Sequence, residues 1–76
     1  MPPPTGADAE LATALRSALS RLAAPQREVL TLKLLRGGTF AEIAERLGTS
    51  EAAAKMRFVR ALRLLRAELI EEGVQP

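Results

Sequence analysis

Apolar residues recur along this chain at helical intervals, and four helical segments emerge with no strand. From about Asp8 to Ala23, Leu11, Leu15, Leu19 and Leu22 fall on one face, which is expected to be buried. Asp8 can cap this segment, and Arg16 and Arg21 lie away from the stripe. A second segment opens at Pro25, a residue favoured in the first turn of a helix. Its apolar positions (Val29, Leu30, Leu32, Leu34, Leu35) surround the helix, as in an element central to a core or one that offers an apolar side to another molecule. Gly37-Gly38 ends it.

The third segment is short. Thr39-Phe40-Ala41-Glu42 fits a capping box, in which the Thr39 hydroxyl accepts the Glu42 N–H and the Glu42 carboxylate reaches back to Thr39. Phe40, Ile43, Ala44 and Leu47 then form one buried face, and Gly48 stops the helix. The fourth segment has Ser50 as N-cap and Glu51 in its first turn, where a carboxylate suits the helix dipole. It runs to about Glu72 and ends at Gly73, with Ala54, Phe58, Ala61, Leu62, Leu65 and Leu69 in one arc expected to face the core. Arg60 and Arg63 point most nearly opposite that arc, with Ala52, Ala53 and Met56 on the same outward side.

The expected fold class is therefore all-α: a compact four-helix domain over residues 8–73. A disordered Pro-rich leader (1–7) precedes it and a short tail (74–76) follows. At 76 residues the chain buries only about 60% of its unfolded surface, so its core is small.

Composition narrows the chemistry. The sequence has no Cys, which rules out disulfides, a thiolate nucleophile and a zinc finger. It has no His, the commonest general base and metal ligand, and only 2 Phe as aromatics, too few for base-stacking platforms. An enzyme, a metal site or a bound cofactor is not expected. No apolar run approaches the roughly 20 residues of a membrane span, and the N-terminus lacks the pattern of a signal peptide. The expected location is cytoplasmic, without a membrane partner.

The net charge is only +2, but its distribution is uneven. Lys55, Arg57, Arg60, Arg63 and Arg66 follow one another with no acid between them, and acids return at Glu68, Glu71 and Glu72. A local cation cluster of this kind has the form of a binding footprint. The third and fourth segments, joined by Gly48-Thr49-Ser50, match a helix-turn-helix. In that arrangement the start of the second helix is pushed outward, where it can enter a DNA major groove, and cations further along reach phosphates.

Pro25-Gln26-Arg27-Glu28-Val29-Leu30, Gly38-Thr39-Phe40-Ala41-Glu42-Ile43-Ala44, Leu47-Gly48-Thr49-Ser50, then Lys55, Arg57, Arg60-Ala61 and Leu65 stand in a fixed order with fixed gaps. This set resembles domain 4 of bacterial sigma factors, most nearly the extracytoplasmic-function group, from about Leu11 to Leu69. The resemblance implies two binding roles. The helix-turn-helix would recognise the upstream (−35) promoter element in double-stranded DNA. The first two helices would cradle the flap of the RNA polymerase β subunit. It places base contacts at Glu51, Ala52, Lys55 and Met56, and phosphate contacts at Arg57, Arg60 and Arg46. Arg63, from the cation cluster, completes the phosphate candidates. A working sigma factor also needs a DNA-melting domain, so this stretch is expected either to be a fragment of a longer chain or to work beside a separate domain 2 partner, and an anti-sigma factor is a further expected partner.

The sequence departs from the family pattern at Ala52-Ala53-Ala54, where polar or β-branched residues are usual, and at Met56. Ala and Met offer base edges only contact with a thymine methyl, so phosphate contacts and DNA shape would carry more of the binding. Two other readings stay open. One is a LuxR-like response-regulator output domain, which shares Arg27-Glu28-Val29-Leu30, Glu42-Ile43-Ala44 and Lys55. The other is an interaction module that docks on polymerase or an anti-sigma partner without binding DNA.

Overall fold

The computed structural model describes residues 6–73, and these form four helices with no strand among them. Helix α1 spans Gly6–Arg21, α2 spans Ala24–Leu30, α3 spans Phe40–Leu47 and α4 spans Glu51–Glu71. No helix among the described residues is long and apolar enough to cross a membrane. The long α4 is the spine against which α1, α2 and α3 all pack.

The core is built from two or three residues of each helix: Ala18 and Leu19 from α1, Val29 and Leu30 from α2, Ile43 and Ala44 from α3, and Ala54, Ala61 and Leu65 from α4, with Leu22 added from the turn after α1. Ala54 and Ala61 are fully buried. With only a methyl group at these two positions, neighbouring helices approach the α4 backbone closely, and larger side chains such as Leu30 and Ile43 fill the space between. Leu15, Leu32, Phe40, Leu47, Phe58 and Leu69 are half-buried around this centre.

Several expectations need correction. Helix α1 begins at Gly6, so Asp8 lies inside it rather than capping it, and Gly6 and Ala7 belong to the helix rather than to a leader. Residues 1–5 and 74–76, the rest of the expected leader and the tail, lie outside the described residues. Helix α1 also ends at Arg21, two residues earlier than expected, because the chain turns at Leu22 (its N–H donates to the Leu19 carbonyl at 3.2 Å) and Ala23 is extended. Leu11 is 53% exposed. The helix reaches the body through its last two turns, and no described element covers the stretch around Leu11. Leu62 is likewise exposed. It stands at the rim of the α4 arc, about 80° from Ala54 at roughly 100° per residue, beyond the reach of its neighbours.

Helix α2 does not simply stop at Leu30. It continues through the wider turns of a π-helix over Thr31–Leu35, in which the Arg36 N–H donates to the Thr31 carbonyl five residues back at 3.1 Å. This keeps Leu32 against the core and leaves Leu34 and Leu35 outside.

Candidate nucleic-acid interface

The α3–α4 unit is held by local chemistry at both of its joints. At the start of α3 the capping box is complete: the Thr39 N–H donates to Glu42 Oε1 at 2.9 Å and the Glu42 N–H to Thr39 Oγ1 at 3.1 Å. The donated Thr39 N–H, then the Thr39 hydroxyl and then the nearby Lys33 charge hold the Glu42 carboxyl below its usual range. At the end of α3, Gly48 takes a left-handed conformation with φ 67°. The Thr49 N–H then donates back to the Ala44 carbonyl at 3.0 Å and the Gly48 N–H to that of Glu45 at 3.3 Å, closing a Schellman-type turn. Ser50 caps α4 by accepting the Ala53 N–H at 3.1 Å.

Side chains then fix the angle between the helices. Phe40 at the start of α3 meets Phe58 of α4 edge to face, with ring centroids 5.6 Å apart. Lys33 Nζ lies 4.5 Å above the Phe40 ring and donates to the Gly38 carbonyl at 3.1 Å, tying the end of α2 to the same joint. These contacts cross between elements, and no local pattern in the sequence announces them.

One side of the first four turns of α4 is consequently left outside, opposite the buried Ala54 and Ala61. Glu51, Ala52, Lys55, Met56, Arg57, Arg60 and Arg63 are all exposed, Met56 to 50%. The ion pairs among the described residues lie elsewhere, where Arg21 of α1 meets Glu68 at 3.6 Å and Glu72 at 3.4 Å. Glu68 and Glu72 are thus engaged with α1, and none of Lys55, Arg57, Arg60, Arg63 and Arg66 forms an ion pair within the described residues. The charge of the cluster faces solvent unneutralised.

Not every candidate falls on this surface. Arg46 is exposed in the last turn of α3 but borders a groove with Leu32, Arg36 and Glu45, away from the α4 set. Arg57 and Arg60 sit at one edge of the set, where they border a cleft with Pro25, Gln26 and Val29 at the start of α2. Gln26 has no signal in the sequence that marks it as part of this surface, since only the packing of α2 on α4 brings it there.

A short, glycine-stopped helix, a tight turn and a longer helix with an exposed cationic side form a helix-turn-helix in geometry as well as in spacing. No relative of the chain is found among curated proteins. The family profile described as Sigma-70, region 4 matches residues 12–65, which take in most of α1, all of α2 and α3 and the whole cationic stretch of α4 but its last residue. With more than half of its length inside that match, the chain belongs to the sigma-70 region 4 family, the helix-turn-helix DNA-binding domains of transcription initiation.

Proposed function

We propose that the domain binds the −35 element of promoter DNA through α4 and docks on the flap of the RNA polymerase β subunit through the end of α2. The observation that carries the first half is the set of exposed cations along the outward side of α4, none of them in an ion pair among the described residues. Neutralising several phosphates releases condensed counterions and supplies most of the affinity. Arg57, Arg60 and Arg63 serve as phosphate contacts along α4, with Arg46 reaching the backbone from the end of α3. Glu51 and Lys55 are the residues able to hydrogen-bond base edges, and Ala52 and Met56 offer apolar contact to thymine methyl groups. Sequence discrimination is accordingly modest, since each good bidentate base contact supplies only about 1–3 kcal/mol.

The second half rests on Leu34 and Leu35, which are 47% and 61% exposed beside each other on the π-helical end of α2. Two large aliphatic side chains turned to solvent suit a partner's apolar helix. An anti-sigma factor would compete for either surface. The domain acts in the cytoplasm with the polymerase.

Two variants test the division of labour. Arg60→Ala weakens binding to promoter and unrelated duplexes alike while leaving retention on immobilised β flap unchanged. Leu35→Glu does the reverse. If the wild-type domain is held by the flap but binds no duplex even at low salt, the DNA role is wrong and the domain is a docking module alone.

A further inference from the structure

The cleft between the start of α2 and α4 holds an unpaired polar group. The side-chain oxygen Oε1 of Gln26 is buried and has no hydrogen-bond partner. Such an acceptor carries the full desolvation penalty of its group, and folded proteins retain few of them. The cleft measures 340 Å³, and Arg57 and Arg60 form its other polar edge. Each guanidinium offers five donors and no acceptor, the complement of what Gln26 lacks. Neither forms an ion pair among the described residues.

The helical wheel separates the two arginines. Arg57 stands about 60° from Ala54 and Arg60 about 120°, on the same side of α4. Arg57 is therefore the one turned toward α2, and Arg60 the one turned toward solvent. A planar guanidinium has two usable edges, so one can be held by the protein while the other meets a phosphate.

We infer that Gln26 is a positioning residue for DNA binding: its Oε1 accepts an N–H from Arg57 when that guanidinium engages a phosphate. The bond forms only in the complex, where the buried acceptor gains the donor it lacks in the free domain and Arg57 is held in place against the phosphate. This inference rests on the DNA-binding reading above.

The test is Gln26→Met, which keeps the length of the side chain and removes the strong acceptor. Affinity for a labelled mixed-sequence duplex is followed by fluorescence anisotropy over a salt series, with thermal unfolding measured in parallel. Loss of one charge-assisted hydrogen bond weakens binding roughly ten- to a hundredfold. The salt slope stays as in wild type, because Arg57 still neutralises its phosphate. The thermal midpoint is unchanged or raised, since an unsatisfied buried oxygen has gone. In an Arg57→Ala background, Gln26→Met has no further effect on binding.

Three results would overturn the inference: wild-type affinity in Gln26→Met, the same loss in both backgrounds, or a lowered thermal midpoint, which would make Gln26 a structural residue. A wild-type domain that binds no duplex at low salt removes the DNA-binding reading and this inference together. Failure of the reading thus shows in the wild type, and failure of the inference in the variant alone.

Discussion

Ile43→Ala measures how much of the helix-turn-helix depends on a single buried contact. Ile43 is 2% exposed at the centre of α3, between the end of α2 and the α4 spine. The substitution removes three carbon groups, worth about 0.8 kcal/mol each in transfer free energy. A cavity term adds to this where the surroundings cannot collapse, which brings the loss to about 3–4 kcal/mol, within the usual range for such changes. A domain of this size has roughly 4–11 kcal/mol in all. Much of its stability would therefore go, and the thermal midpoint would fall by about 12–30 °C, at roughly 4–8 °C per kcal/mol. Urea and thermal unfolding by circular dichroism read the loss, with Ile70→Ala as control because Ile70 is 53% exposed on α4. That control should shift stability by less than about 0.5 kcal/mol. Equal, small effects in both variants would refute the packing of α3 on α4 described above.

Gly48→Ala should cost about 1–2 kcal/mol, the penalty of holding an L-residue at φ 67°. A Cβ there meets nothing within 4 Å, so a larger loss in urea unfolding would mean that the turn is packed more tightly than described. Glu42→Gln probes the capping box through pH. The carboxyl is held below its usual 4.5 in the folded domain, so the charge adds stability above that value and loses its contribution as pH falls through the lowered folded value. The thermal midpoint of Glu42→Gln should lie below that of wild type at neutral pH and meet it in acid, and a gap that persists at low pH would contradict the assignment. Arg21→Ala should lower stability by no more than about 1 kcal/mol, because both of its ion pairs involve a half-exposed guanidinium. A loss of several kcal/mol would show that α1 is docked mainly by charge rather than by Ala18, Leu19 and Leu22.

The parts of the molecule legible in the sequence are those whose causes are local. The start of α3 follows from Thr39 and Glu42, its end from Gly48, and the start of α4 from Ser50, each through hydrogen bonds that span no more than five residues. Helical periodicity likewise selects Leu19, Leu22, Ile43, Ala54 and Leu65 for the core. Periodicity marks a face but not how far a neighbouring helix covers it, which is why Leu11 and Leu62 were expected inside and are exposed. The π-helical turn after Leu30 depends on tertiary packing, and nothing in the pattern of leucines distinguishes it from a continued α-helix. At the candidate interface, the run of cations without acids was visible as charge order. That Glu68 and Glu72 turn to Arg21 of α1, leaving the run unneutralised, required the fold.

The central claim is that this cationic side of α4 is free to bind a polyanion, and the salt dependence of duplex DNA binding by the wild-type domain tests it most directly. With three to five phosphates neutralised, log K should fall linearly with log salt with a slope of about −3 to −4.5. No measurable binding at low salt, or an affinity indifferent to salt, would contradict the account.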